Sequence, residues 1–587
     1  MGHVMRLTRR DLLRWGIVTG GAAMLPGGVR LSRADSGSSG SGSGSSGSGS
    51  GGGSSSPRTT PFVVELRPGQ GIPPIARTVG PFATARDPDD CVNFDENRTT
   101  AFHVSDPRDV DPSTEFLKIY ERPVLHSFHP ELPKNVLWGY TDDPTGPGMI
   151  PGPTIIAYSV TAPPPQRAGA SQLVRFINAL PEDDPIGIGE PISVIHRHGG
   201  FQAPEDDGYP LDSFCSGQSR DYFYPNIADK QLQDEHSTNW YHDHAIDITA
   251  ENVYRGLAGF YLYRFSHDTG RETDPAPNLQ LPSGEFDIGL VLQDRRFDRN
   301  GFLVYNSFDH NGFLGDKFCV NGLIQPYLKV ARRKYRFRFL NGSNARVYQL
   351  FLSNGGTFKV IGTDTHLLEA PVPVTNFRIA PAERVDVVVD FTNTRIGDEI
   401  FLVNRLQQTD GRKPDGLVSP GTQLLKFKVN RDAADPSRVP DVLLPVTEGP
   451  KQLLPRVKVQ RRFKFERSHG AWVINGEFFD EHRINAKPKV GEPEIWILES
   501  GGGWVHPVHI HLSEFFILSR DGRKPPPIEG GRKDTVLIGG DVGQEVKILI
   551  MFEEFPGFGR FTNRFVFHCH NIEHEDMRMM AQFEVQP

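Results

Sequence analysis

Four short motifs concentrate the chemistry-bearing residues of this chain. They are His196-Arg197-His198, His242-Asp243-His244, His506-Pro507-Val508-His509-Ile510-His511 and His568-Cys569-His570-Asn571-Ile572-Glu573-His574, the last followed by Met579. Together they hold ten of the twenty histidines, so half of all imidazoles fall in four stretches. A thiolate, imidazoles and a distant thioether are the ligand set of an electron-transfer copper. One His-x-His pair alone equally makes a satisfied polar pair or a zinc half-site, and a lone cysteine equally makes a buried free thiol. Four separated motifs with one cysteine do not suit structural zinc, which takes about four ligands and usually several thiolates. The set as a whole points to copper.

These side chains need strands to aim them. If residues 564–567 form a strand, alternation sends Cys569 to one face and His568 and His570 together to the other, so one peptide connects two metal centres. Each His-x-His pair presents both rings to one side by the same rule. Elsewhere Tyr335-Arg336-Phe337-Arg338-Phe339 alternates polar with apolar, Val385-Asp386-Val387-Val388-Val389-Asp390-Phe391 is strand-like, and Pro and Gly punctuate the chain throughout. That is an all-β composition consistent with stacked sandwiches, in a chain long enough for about three domains. The basic residues within 332–338 alternate with aromatics and read as the solvent face of a strand. A formal net charge of −8 argues against a polyanionic partner, so no nucleic acid is expected.

Further strings carry a resemblance: Leu137-Trp138-Gly139-Tyr140, Pro151-Gly152-Pro153-Thr154, Asp207-Gly208-Tyr209-Pro210, Trp240-Tyr241-His242-Asp243-His244, Arg336-Phe337-Arg338-Phe339-Leu340-Asn341 and Ala380-Pro381-Ala382-Glu383-Arg384. With the copper motifs, they make the chain from about residue 132 to its end resemble the three-domain multicopper oxidases, nearest to spore-coat-type bacterial laccases and bilirubin oxidases. Arg197 departs from that pattern, where an apolar or aromatic residue is more usual; it faces away from the metal, so the departure concerns local packing. The resemblance implies an all-β fold of three cupredoxin-like Greek-key β-sandwich domains: residues 59–265, a spacer at 266–431, and 432–587 holding the blue copper.

It also implies four copper ions. The type 1 ion would take His506, Cys569 and His574, with Met579 as weak axial ligand. The type 2 ion would take His196 and His509. One type 3 ion would take His198, His242 and His570, and its partner His244, His511 and His568. Glu575 and Asp207 match the family's carboxylates for proton delivery. The implied reaction is one-electron oxidation of phenols, aromatic amines or similar small-molecule donors, coupled to four-electron reduction of O2 to water. Alternatives are oxidation of Mn(II) or Cu(I), bilirubin-type specificity, and a non-catalytic copper-binding cupredoxin protein. Eight methionines without a methionine-rich insert argue against a Cu(I) oxidase, and the complete ligand set argues against a non-catalytic role. A copper nitrite reductase lacks the His-Cys-His string.

The N-terminus carries an address. Thr8-Arg9-Arg10-Asp11-Leu12-Leu13-Arg14 precedes a short apolar run at 15–25, which reads as a twin-arginine signal over residues 1–34 with cleavage near Ala34. The expected partner is the twin-arginine export machinery and the expected location periplasmic or extracellular. The run is too short to span a bilayer core of ~30 Å, so no stable membrane anchor is expected. Residues 36–56, within a linker at 35–58, are all serine or glycine and are expected to stay disordered, with ends ~25 Å apart. Of the four cysteines, Cys91, Cys215 and Cys319 remain if Cys569 binds copper, leaving room for one disulfide of undetermined pairing. The motifs set no oligomeric state.

Overall fold

The computed structural model describes residues 55–66, 114–159, 171–184, 186–226, 236–446, 448–555 and 563–587. The export signal, its cleavage point, Cys91 and nearly all of the Ser/Gly linker lie outside them.

Three pairs of sheets follow one another along the chain. The first pair is a four-stranded sheet of Asn135–Thr141, Glu115–His126, Gln172–Asn178 and Ser219–Tyr224, facing one of Gly152–Tyr158, Ala258–Arg264, Thr238–Asp243 and Ile195–His198. The middle pair has seven and five strands between Asp287 and Arg431. The third has a six-stranded sheet and a four-stranded sheet ordered Thr535–Gly539, Val505–Ile510, Arg564–Cys569 and Met580–Glu584. One parallel pairing recurs in each: Glu115–His126 beside Gln172–Asn178, Asp287–Arg295 beside Lys334–Asn341, and Val459–Ser468 beside Glu494–Ser500. Parallel neighbours require a crossover between the two facing sheets, which closes each pair as a Greek-key sandwich.

Alternation builds the cores. Tyr335, Phe337 and Phe339 point into the middle sandwich with Val385, Val387 and Val389 of the neighbouring strand Arg384–Asp390. The opposite face of this strand corrects the solvent-face expectation. Arg336 and Arg338 are fully buried against the first sandwich. Arg336 pairs with Asp268 (2.6 Å) and Asp386 (2.7 Å), and Arg338 with Asp287 (2.7 Å), while in the first sandwich Ser237 Oγ accepts from both guanidiniums and Thr238 Oγ1 accepts from Arg338. Burial alone would raise the carboxyl of Asp287; the surrounding guanidiniums outweigh it and hold it below its ordinary range. A charged strand face can thus serve an interface as well as water.

Three segments lock the first and third sandwiches together. Ala250 and Val253 of the helix Thr249–Arg255 pack on Ile572 of the helix Ile572–Asp576. Ala250 N–H donates to Asp576 Oδ2 (3.1 Å), and Asn344 of the middle sandwich donates to Glu573 Oε1 (2.7 Å). Cys215 is in a disulfide, whereas Cys319 and Cys569 are buried free thiols. Among the described residues no helix is long and apolar enough to cross a membrane.

Candidate metal centre

Two adjacent strands of the third sandwich divide the candidate ligand residues between their faces. Val505–Ile510 pairs antiparallel with Arg564–Cys569, with Val508 opposite Cys569 and His509 opposite His568. Alternation turns His506, Val508, Ile510, Phe567 and Cys569 inward; the last four join one apolar core with Trp472 and Met579. The outer face carries His509, His511, His568 and His570 towards the first sandwich. There His196 lies opposite His242 on paired strands, and His198 and His244 complete the set.

The inward group is a compact triangle. Cys569 Sγ lies 3.5 Å from both His506 Nδ1 and His574 Nδ1, which are 3.3 Å apart. His574 comes from the helix Ile572–Asp576; Trp472 stacks on its ring at 3.7 Å, and its Nε2 donates to the carbonyl of Asn311 (3.2 Å). Burial lowers the His506 pKa to about 3 and pushes the Cys569 thiol well above its ordinary range. A thiol in so apolar a place ionises only beside a cation, and a neutral imidazole is the metal-binding form. Cys569 N–H also donates to the carbonyl of Met579 (3.1 Å), placing that residue next to the triangle. Met580, one residue on, turns to the opposite side and packs with Tyr209 and Ile246.

The outward histidines form one buried cluster with those of the first sandwich. His244 Nε2 is 3.2 Å and His511 Nε2 3.3 Å from His568 Nε2. His196 Nε2 is 3.3 Å from His509 Nε2. The rings of His198, His242 and His570 lie 5.2 to 5.9 Å apart, centroid to centroid. His198 Nδ1, His242 Nε2 and both nitrogens of His570 are buried without a hydrogen-bond partner. Burial lowers His198 and His242 to about 3, so their lone pairs are free. Buried polar atoms left unmet at this density fit bound metal, because hydrogen bonding otherwise satisfies nearly all such atoms.

Both sequence-predicted carboxylates touch this cluster from outside. Asp207 Oδ2 accepts from His511 Nδ1 (2.6 Å), and its carbonyl accepts from His196 Nδ1 (2.5 Å). Glu575 Oε2 lies 3.0 Å from His568 Nδ1, and Oε1 lies 3.7 Å from His244 Nε2. Arg197 is buried away from the histidine cluster, stacked over Tyr224 at 4.2 Å, and donates to Gln202 (2.7 Å), which in turn donates to Asp207 Oδ1 (2.9 Å).

Asp534 escaped sequence reasoning. Its Oδ1 lies 3.1 Å from His198 Nε2, and its carbonyl accepts from His509 Nδ1 (2.9 Å). Arg384, the last residue of the Ala380–Arg384 string, grips both carboxylate oxygens. Burial opposes ionisation of Asp534, yet Arg384 holds it well below the usual carboxylate range. The only sequence signal was that string, whose partner it did not name. A cavity of about 610 Å³ between the middle and third sandwiches, bordered by Arg378, Glu383, Arg520 and Lys533, contains none of the histidines and is separate from this chemistry.

Comparisons with known proteins agree with this geometry. Two multicopper oxidase family profiles match residues 312–418 and 452–587. The bilirubin oxidase of Albifimbria verrucaria is 36% identical over 486 residues, covering 80% of this chain and 76% of the relative. The laccase of Bacillus subtilis (strain 168) is 32% identical over 512 residues, covering 78% and 92%. Among solved structures, a laccase from Pediococcus acidilactici superposes with a TM-score of 0.66 at 25% identity, over 91% of this chain and 95% of that one. The chain belongs to the multicopper oxidase family: it is a three-domain, copper-dependent oxidoreductase of laccase type that uses O2 as electron acceptor.

Proposed function

We propose that the chain holds four coppers and couples one-electron oxidation of phenols, aromatic amines or similar small donors to reduction of O2. The carrying observation is the single strand pair that presents Cys569 and His506 inward and His509, His511, His568 and His570 outward. In this reading His506, Cys569 and His574, with Met579 behind them, hold the type 1 ion. His196 and His509 hold the type 2 ion. His198, His242 and His570 hold one type 3 ion, and His244, His511 and His568 hold the other. Copper at these positions supplies one-electron redox chemistry: four electrons from donor, four protons and one O2 yield two waters. The residues 59–265 and 432–587 supply these ligands, with 266–431 as spacer.

The protein's own part is positional. The peptide through His568, Cys569 and His570 joins the two centres covalently. Asp207 and Asp534 fix the orientation of four imidazoles through their outer nitrogens. Glu575 lies within reach of His568 and His244, where a carboxylate passes protons inward. The Arg9-Arg10 segment supports export of the folded chain by the twin-arginine route to the periplasm or beyond.

The test is oxygen consumption by copper-loaded protein with substituted phenols, a non-phenolic dye, bilirubin, Mn(II) and Cu(I), alongside Cys569→Ser. Turnover of phenols by intensely blue protein, with colour and turnover lost in Cys569→Ser, is expected. Turnover with Cu(I) or Mn(II) alone would overturn the substrate assignment, and blue colour surviving in Cys569→Ser would overturn the site map.

A further inference from the structure

We propose that His236, His366 and Glu514 form an additional binding site for a divalent cation of the zinc or copper type, where the three sandwiches meet. None of the three belongs to the copper-ligand sets above. His236 stands two residues before the strand Thr238–Asp243, His366 opens the strand His366–Val374 of the middle sandwich, and Glu514 stands just before the strand Phe515–Arg520 of the third. A bridge between the backbones of His236 and His366 holds the two segments antiparallel, and Ser237 N–H donates to the carbonyl of Thr365 (2.6 Å).

Both imidazoles approach one carboxylate oxygen, and their ring centroids lie 5.1 Å apart. Glu514 Oε1 lies 3.6 Å from His236 Nε2 and 3.4 Å from His366 Nε2. Charge-assisted N–H···O contacts close to ~2.7–2.9 Å, so the His236 contact is too long for a hydrogen bond and the His366 contact is a loose one. Donors bound to one tetrahedral cation at ~2.0–2.2 Å stand about 3.4 Å from one another. The candidate copper ligands of this same chain show that spacing: 3.5 Å from Cys569 Sγ to His506 Nδ1, and 3.2 Å between His244 and His568. The two separations from Glu514 Oε1 to the imidazoles, 3.6 and 3.4 Å, fit the same spacing.

Their ionisation suits the role. All three side chains are buried, at 2%, 6% and 9% exposure. Burial lowers His236 to about 3, which leaves the ring neutral, and its Nδ1 has no hydrogen-bond partner. Burial opposes ionisation of Glu514, yet its pKa comes down to about 2, with neighbouring His366 the leading cause and Arg532 contributing. A neutral imidazole and an ionised carboxylate are the metal-binding forms. Two imidazoles with one carboxylate suit Zn²⁺ or Cu²⁺; Ca²⁺ and Mg²⁺ take all-oxygen shells of six or more. A cation here would tie together the segment leading into His242 and His244, the middle sandwich, and the segment leaving His509 and His511.

Full-length, copper-replete protein dialysed against Zn²⁺ tests this, with zinc and copper counted separately by mass spectrometry. We expect one zinc retained per chain above the copper complement, and an anomalous diffraction peak at the zinc edge between the three side chains. Glu514→Gln and His366→Ala should each lose that zinc while copper content and blue absorbance stay at wild-type values. A copper-edge peak at the same place supports the site equally. Wild-type protein that retains no extra metal and shows no peak there, or variants that retain zinc as wild type does, would overturn the proposal; the diffraction result requires no variant to fold.

Discussion

Asp534→Asn isolates the contribution of an outer carboxylate to the histidine cluster. Oδ1 of Asp534 faces His198 Nε2 at 3.1 Å and also accepts from Arg384 Nη1 (2.8 Å) and Thr535 Oγ1 (2.9 Å); Oδ2 accepts from Arg384 Nη2 and Thr365 Oγ1 (3.0 Å). An asparagine retains one oxygen and puts an NH2 group in the other place. Whichever way it turns, that NH2 meets Arg384, which can only donate, and in one orientation it also meets His198. Loss of such an outer partner costs ~10–100-fold in metal affinity, equivalent to ~1.4–2.7 kcal/mol. Leaving the fully buried Arg384 without its carboxylate costs a further ~3–5 kcal/mol of folding stability. That lies within the ~5–15 kcal/mol typical of a folded domain, so the variant should be folded but melt earlier. Both proteins would be loaded with copper and titrated with a chelator well below the melting range, following total copper by mass spectrometry and the type 1 ion by blue absorbance. Cluster copper should leave Asp534→Asn at ~10–100-fold lower chelator concentration, with blue absorbance tracking wild type. Superimposable copper-release curves would refute the argument that Asp534 holds His198 and His509 in their binding orientation.

Two further substitutions probe the centres separately. Met579→Leu should raise the reduction potential of the blue centre in a redox titration, because it removes a weak axial donor, whereas Met580→Leu should leave it in place; the opposite result would move the axial ligand by one residue. Glu575→Gln should leave copper content and substrate reduction of the blue centre near wild type yet slow reoxidation by O2 in single-turnover experiments, by about a hundredfold or more. Reoxidation at the wild-type rate, at matched copper content, would remove Glu575 from the proton path.

Much of the cluster's geometry was legible in the sequence because period-two alternation is rigid. Once residues 564–567 are a strand, Cys569 and its two flanking histidines must diverge, and they do. The same rule misled at Arg336 and Arg338. Alternation says that these side chains leave the core of their own sandwich, but not whether water or another sandwich lies beyond. Here the aspartates that neutralise them come from separate segments, at Asp268, Asp287 and Asp386. Asp534 was silent for a related reason. Its partners His198 and Arg384 are 336 and 150 residues away, and an isolated aspartate has no spacing to read. The triad of His236, His366 and Glu514 likewise exists only once three sandwiches converge.

The two-faced strand pair constrains how this protein can change. A register slip of one residue between Val505–Ile510 and Arg564–Cys569 would exchange inner and outer faces along the slipped strand. It would carry Cys569 out of the apolar core and thrust His568 into it. One insertion would therefore disable both centres in a single step, and no intermediate chain would keep either. Added length is better tolerated in a loop such as residues 521–531, between the strands Phe515–Arg520 and Arg532–Lys533, where loop closure costs little extra entropy. The donor-facing centre and the oxygen-facing centre behave as one heritable unit, so altered donor preference must come from surrounding loops rather than from moving the metal sites apart.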